Sequence, residues 1–110
     1  MEKSFLGEFE ELVLTMVGIL GDEAYGNAIV QEVETQLNRQ VNLSAVHITL
    51  YRLEDKGFVS SDMRGATASR GGRRKRYFQI TLSGKQLLKE MQMQRQKLWK
   101  MLPQLDFSAV

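Results

Sequence analysis

A run of basic residues between positions 64 and 76 contains no acidic residue. Its six bases are Arg64, Arg70, Arg73, Arg74, Lys75 and Arg76. An arginine presents a rigid fork of N–H donors that matches phosphate oxygens, and each neutralised phosphate releases condensed counterions. Glycines in the same segment allow the backbone to approach a ligand closely. The run favours phosphate contact on a nucleic acid, whereas a charge run considered alone is more often a solvated loop.

A second group of candidate residues lies on the third predicted helix. The spacing of Val46, Leu50 and Leu53 predicts its buried face. The positions away from that stripe are small or polar enough to approach base edges, and they are Ser44, Ala45, Ile48, Thr49 and Arg52. Arg52 suits a guanine or a phosphate, Thr49 a hydroxyl contact, and the two apolar residues suit thymine methyl groups. A surface ion pair is the alternative role for Arg52.

Two further residues suit several roles. His47, the only histidine, is expected to donate to a phosphate, touch a base edge or pack in the core. Tyr25 opens the second predicted helix, where its hydroxyl either reaches a phosphate or closes the core. Without a cysteine or a second histidine, no metal site is predicted. No nucleophile with a base partner, paired carboxylates or phosphate-binding glycine loop is found, so neither an enzyme nor a cofactor is expected.

These residues are positioned by four helices and a hairpin. Apolar spacing predicts helices over residues 4–20, from Tyr25-Gly26 to Asn38, and from an N-cap at Ser44 to Gly57. Strands are predicted over 58–63 and 75–81 around a loop at 64–73, and these strands argue against a disordered RNA-binding segment. A helix over 82–102 follows, with Thr81 or Ser83 as its N-cap and Pro103 as its stop.

The order of these elements predicts a winged helix-turn-helix, mainly α with a small β-hairpin, plus a long C-terminal helix. In such a fold the third helix enters a major groove and the hairpin, the wing, touches the backbone beside it. We therefore divide the chain into a winged helix-turn-helix DNA-binding domain at 1–82, a dimerisation helix at 83–103 and a tail at 104–110.

Composition is consistent with one domain. The chain has 110 residues and a formal net charge of +2, but the first 34 residues contain eight acids and one base, and the remainder contains fourteen bases and five acids. With 43% hydrophobic and 25% charged residues it is typical of globular proteins. Acidic residues near the N-terminus interrupt what would be the apolar core of a signal peptide. No apolar stretch approaches the roughly 20 residues of a membrane span. The sequence thus predicts a soluble, cytoplasmic protein.

The last helix carries an apolar stripe that is too wide for one small domain to cover. Two neighbouring rows compose it: Leu88, Met91, Leu98 and Leu102, and Leu87, Met91, Leu98 and Met101. This pattern predicts a partner helix, although core packing accounts for part of it and a membrane surface is an alternative. Lysines on the polar side are expected to pair with acids of the first helix across the interface; they are Lys85, Lys89, Lys97 and Lys100, facing Glu8, Glu10 and Glu11.

An ordered set of motifs from Leu6 to about Leu88 resembles the PadR-type transcriptional regulators. The motifs are Leu12-Val13-Leu14, Ala24-Tyr25-Gly26 with Ile29, the segment from Leu50 to Gly57 (LYRLEDKG), the segment from Arg70 to Phe78 (RGGRRKRYF), and Thr81 with Gly84. The Arg-Gly-rich wing and lone C-terminal helix resemble the short branch of the family. One position departs from the pattern, since His47 replaces a tyrosine.

The resemblance implies a winged-helix repressor that acts as a dimer, with each C-terminal helix packed against the partner, often against its N-terminal helix. The interface candidates are Phe5, Phe9, Leu87, Leu88, Met91, Leu98, Trp99, Met101 and Leu102. It also implies an aromatic-lined space between subunits where Trp99 and Met91 hold a small hydrophobic or planar effector, although plain packing is the alternative role of Trp99.

The sequence and the resemblance together predict a dimeric, sequence-specific DNA-binding transcriptional regulator. Its expected partners are double-stranded DNA, a second copy of the chain and a small hydrophobic ligand, with no membrane partner. The alternative function is a winged-helix protein-interaction module without DNA binding, which docks through Trp99 and the methionines. Neutralising the bases at positions 73–76 distinguishes the two, because only the first needs them.

Overall fold

The structure, a computed structural model, describes residues 6–65 and 74–103. A single-turn 3-10 helix over Gly21–Glu23 follows the first of four α-helices. The elements are α1 (Glu8–Leu20), α2 (Gly26–Leu37), α3 (Leu43–Asp55), β1 (Val59–Gly65), β2 (Arg74–Ile80) and α4 (Leu82–Met101). The architecture is the expected three helices, hairpin and long helix. The predicted tail at 104–110 lies outside the described residues.

The helix termini follow from local capping chemistry. The Asn42 side chain accepts a hydrogen bond from the Ala45 N–H at 3.1 Å and caps α3. The prediction of Ser44 as this N-cap is therefore wrong by two positions. Asn38 ends α2 in the left-handed conformation, and Gly57 follows α3 with a φ of +84°, as expected for a C′ glycine.

One core joins the helices to the hairpin. Its fully buried large side chains come from α1, α2, α3 and β2, and they are Val13, Leu14, Val17, Ile29, Val33, Val46, Leu50, Leu53 and Phe78. The Phe78 N–H donates to the Ala24 carbonyl at 2.8 Å, which ties the hairpin to the entrance of α2. The wing is therefore held against the helix-turn-helix by both packing and a backbone hydrogen bond.

The hairpin is longer at its tip than the sequence predicted. β1 and β2 pair antiparallel from Val59 opposite Ile80 to Gly65 opposite Arg74. Arg64 and Gly65 are thus strand residues rather than loop residues, because their backbones continue the ladder. Thr81 is not in the strand but caps α4, accepting from the Gly84 N–H at 3.1 Å.

The acids of α1 pair with cations of their own chain, while their predicted pairing with lysines across a dimer interface stays a prediction. Glu8 binds Arg39 at 2.7 Å and Glu10 binds Lys56 at 2.9 Å. The hydrogen bond from Arg39 lowers the pKa of Glu8. Partial burial raises the pKa of Glu10, but hydrogen bonds from Lys56 and the Gly7 N–H outweigh this effect, so the pKa is lowered overall. Within one chain, these two carboxylates therefore already have cationic partners.

Gly84 is a position where a side chain does not fit. A Cβ there would collide with the carbonyl oxygen of Phe58, and this carbonyl accepts a hydrogen bond from the Thr81 N–H at 3.0 Å. Because the obstacle is backbone, α4 would have to move off the hairpin. We expect Gly84→Ala to lower the free energy of unfolding by about 1–3 kcal/mol, measured by urea denaturation at constant protein concentration.

Gly18 supplies the matched control for this substitution. It lies inside α1, is exposed, and the nearest atom to an added Cβ is Ile80 Cδ1 at 3.8 Å. Gly18→Ala should therefore stabilise the protein by about 0.5–1 kcal/mol through helix propensity. Equal effects of the two substitutions would contradict the steric account of Gly84.

Candidate nucleic-acid interface

The outer side of α3, the start of α2 and strand β2 of the wing form one concave surface. It encloses about 340 Å³, and its lining comes from the start of α2, from α3 and from β2: Tyr25, Gly26, Asn27, His47, Tyr51, Arg74, Lys75, Arg76 and Phe78. Five residues singled out in the sequence meet there, namely Tyr25, His47, Arg74, Lys75 and Arg76. A surface with aromatic rings, one imidazole and three cations suits an anionic backbone that carries bases.

The helix α3 presents most of its predicted contact residues to the outside. Ser44, His47 and Arg52 are exposed, Ile48 is 54% exposed and Ala45 is half-buried. Thr49, which was predicted to face outward, is only 5% exposed. It lies three residues after Val46 and four before Leu53, so it shares their buried face. The expectation of a hydroxyl contact from Thr49 to DNA is therefore wrong.

His47 is held at the beginning of α2. A Cβ on Gly26 would collide with the His47 imidazole and would come within 3.0 Å of Leu43. Only a glycine leaves room for the ring, so the imidazole packs on the α2 backbone while the side chain remains exposed. In this position the ring can donate a hydrogen bond to a ligand in the concave surface.

Aromatic and cationic side chains link the start of α2 to the wing. The Tyr25 and Tyr77 rings meet edge to face with centroids 5.3 Å apart. Lys75 Nζ lies 4.2 Å from the Tyr25 ring centroid, and the Arg64 guanidinium lies 4.5 Å from that of Tyr77. Contacts of this kind contribute roughly 0.5–1 kcal/mol each at exposed sites. The half-buried Tyr25 ring thus packs against the wing rather than closing the core.

The six bases of the wing run differ in their surroundings. Arg64 is half-buried over Tyr77 and pairs with Asp62 at 3.2 Å, so it supports the hairpin rather than offering a free phosphate ligand. Arg76 donates to Ser61 Oγ at 3.0 Å. Arg74, Lys75 and Arg76 are exposed. The remaining two bases, Arg70 and Arg73, lie outside the described residues.

Four lining residues were not among the predicted site residues: Gly26, Asn27, Tyr51 and Phe78. Tyr51 is exposed, and its ring meets Phe78 edge to face with centroids 6.1 Å apart. Its position one helical turn after His47 is the signal that would have found it, because residues four apart share a helix face. Asn27 stands in the first turn of α2, and nothing in its sequence context distinguishes it.

The predicted dimer residues divide into two groups. Phe9, Leu87, Leu88 and Met91 are half-buried against the core of their own chain. Phe9 also lies under the Arg39 guanidinium, 5.9 Å from the ring centroid. The second group is strongly exposed on the far half of α4: Leu98 63%, Trp99 61%, Met101 71% and Leu102 51%. Phe5 is outside the described residues.

The ligand space predicted between subunits from Met91 and Trp99 stays a prediction, and within one chain the two residues lie apart. Met91 packs on its own core, whereas Trp99 is exposed two turns further along α4. Within residues 6–65 and 74–103, no three His, Cys, Asp or Glu side chains form a group suited to a metal ion. In the same part of the chain, no helix is long and apolar enough to cross a membrane.

Substitution of His47 should weaken DNA binding without affecting folding. Loss of one hydrogen bond per subunit at the interface predicts about tenfold lower affinity for His47→Ala, measured by fluorescence anisotropy on a labelled duplex. Thr49→Val is the matched control, because it alters a neighbouring polar residue that is buried. An equal loss of affinity from the two variants would show that α3 does not approach DNA through the face that carries His47.

Comparison with known proteins places this geometry in a family. A sequence model described as the transcriptional regulator PadR-like family matches residues 14–90, well over half of the chain. A PadR family transcription regulator from Clostridium difficile R20291 has a TM-score of 0.72 at 22% identity, over 86% of this chain and 94% of that one. A PadR-like transcription factor from Bacteroides fragilis has a TM-score of 0.70 at 21% identity, over 84% of each chain. No curated protein matches.

Proposed function

The chain belongs to the PadR-like family of transcriptional regulators, whose members are non-enzymatic, and on this premise we propose that it is a homodimeric, sequence-specific DNA-binding repressor of the cytoplasm. Residues 1–82 would bind DNA and residues 83–103 would pair the subunits. Two α3 helices would occupy successive major grooves on one face of the duplex while the wings grip flanking phosphates. Repression would follow from occlusion of a promoter.

One observation carries the DNA-binding part of the proposal. The concave surface combines His47 and Tyr51 of α3 with three exposed cations of β2, so base-reading and phosphate-binding groups face one ligand. The contact residues we propose are Tyr25, Ser44, Ala45, His47, Ile48, Arg52, Arg70, Arg73, Arg74, Lys75 and Arg76, together with Tyr51. Phosphate contacts position a protein on the duplex, and the exposed α3 side chains supply the specificity.

The exposed apolar residues of α4 support the dimeric part of the proposal. Leu98 and Leu102 lie within one stripe of the helix, and Trp99 and Met101 flank it. An isolated chain would leave this surface in water, which favours burial against a second copy. A small hydrophobic effector bound beside Trp99 would release DNA if it altered the spacing of the two α3 helices, because a ligand shifts an equilibrium only by its differential affinity for the two arrangements.

Selection of bound fragments from random DNA tests the proposal in one experiment. A repressor of this kind is expected to enrich a dyad-symmetric site with half-sites one helical turn apart, or a multiple of it. Gel-shift titration of that site should show affinity that falls steeply with salt concentration. Recovery of no enriched sequence, together with flat salt dependence, would favour the alternative of a protein-interaction module.

A further inference from the structure

The far half of α4 leaves the domain after Met91. Leu87, Leu88 and Met91 are half-buried on the core, whereas every described residue from position 92 to position 103 is exposed. At 1.5 Å per residue, the helix continues about 15 Å past Met91. The exposed apolar residues proposed to meet a second copy are on this projecting part. Its direction relative to the domain therefore decides where a partner domain would lie.

Within residues 6–65 and 74–103, one ion pair joins the projecting part to the domain. Arg95 Nη1 and Nη2 donate to Glu11 Oε2 and Oε1 at 2.9 and 2.7 Å, a two-point contact between α4 and α1. The Glu11 side chain is 19% exposed and that of Arg95 57%. Hydrogen bonding to Glu11 raises the pKa of Arg95, so the guanidinium stays protonated. Among residues 6–65 and 74–103, no polar side-chain contact links α4 to another element beyond this point.

Arg95 is a charged residue within the apolar stripe of α4. It occupies the same face as Met91, Leu98 and Leu102, one turn after the last residue that packs on the core. A charged residue there interrupts the apolar stripe, and the two-point contact accounts for its presence. An Arg–carboxylate fork constrains both distance and orientation, which a lysine in its place would not do.

We propose that the Arg95–Glu11 pair is a strut that sets the angle between α4 and the helix-turn-helix, and thereby the separation of the two recognition helices in a dimer. The inference depends on the proposed dimeric function. A small change in angle at Arg95 displaces the whole partner domain, because that domain is attached beyond the strut. The half-site spacing that the dimer prefers would then depend on a positioning residue that lies far from the DNA-binding surface.

Distance measurements between spin labels test this proposal without DNA. The chain has no cysteine, so Ser44→Cys places one label on each exposed α3 N-terminus. We expect one narrow distance distribution in the unsubstituted background and a shifted or broadened one in Arg95→Glu. The swapped variant Glu11→Arg/Arg95→Glu should restore it. On the preferred operator, Arg95→Glu should weaken binding about tenfold from the two pairs of the dimer, and the swap should recover most of that loss.

The Glu8–Arg39 pair provides the matched control. It is also a two-point contact, at 2.7 and 3.1 Å, but it does not involve α4. Glu8→Arg should leave the distance distribution unchanged. An unaltered distribution in Arg95→Glu, or no recovery in the swapped variant, would overturn the strut while leaving DNA binding intact. Absence of any dipolar coupling in the parent protein would instead show that it is monomeric, and both proposals would fail.

Discussion

Neutralising the exposed cations at the start of β2 should abolish most of the affinity for DNA. The triple variant Arg74→Gln, Lys75→Gln and Arg76→Gln removes six positive charges from a dimer while retaining polar side chains. If each contacts a phosphate, the slope of log affinity against log salt should decrease by about five, and affinity near 0.1 M salt should fall on the order of 100-fold. Fluorescence anisotropy across a salt series measures both quantities.

The control for this variant removes the same charge from another surface. Lys85, Lys89 and Lys97 are exposed on α4, and the corresponding triple glutamine variant should retain nearly the parental slope. Circular dichroism should show both variants folded, since none of the substituted side chains is buried. Equal losses in the two variants would mean that net charge, rather than the concave surface, drives binding.

Leu98→Glu should convert the protein to a monomer. Leu98 is 63% exposed in the single chain and lies in the proposed interface, so a dimer of this variant would be forced to bury two carboxylates near each other. The cost of desolvating an unpaired charge is several kcal/mol, which is more than a small interface supplies. We expect sedimentation to show a monomer at micromolar concentration and the affinity for a dyad site to fall by at least about 100-fold.

Met93→Glu is the corresponding control for the interface. Met93 is also strongly exposed, but it lies on the opposite side of α4 among the lysines. This variant should remain dimeric and should bind the operator with parental affinity. A monomeric Met93→Glu, or a dimeric Leu98→Glu, would place the interface on a different surface. The helix content of both variants should be unchanged, because neither side chain packs on the core.

The errors in the sequence reading were local and have identifiable causes. Asn42 and Ser44 are both good N-cap residues, so their types alone do not decide which one caps α3. Thr49 was assigned to the outer face because the buried stripe was limited to Val46, Leu50 and Leu53, although positions 46, 49, 50 and 53 form the i, i+3, i+4, i+7 pattern of a buried stripe. A wider stripe than expected was needed, because α3 packs against both α1 and α2.

The candidate site was predictable only in part. His47 and the cations at 74–76 were found because residue type and element order pointed to them. Arg64 belongs to the same charge run, yet it stacks on Tyr77 instead of facing a ligand. Tyr51 was missed although it shares a helix face with His47. Both outcomes depend on how the hairpin lies against α3, and that arrangement is not encoded in any one segment.

The order of elements, the approximate extent of the helices and the basic wing are readable along the chain, because apolar periodicity and charge runs act between near neighbours. The ion-pair partners of the charged residues cannot be read along the chain in this way. Glu8 meets Arg39 across 31 positions, and Glu11 meets Arg95 across 84. Such pairs form where packing of the core brings their helices together, and many alternative partners of equal charge are present in the sequence. Long-range packing therefore determined that the acidic first helix is neutralised within its own chain and that α4 projects with its apolar end exposed.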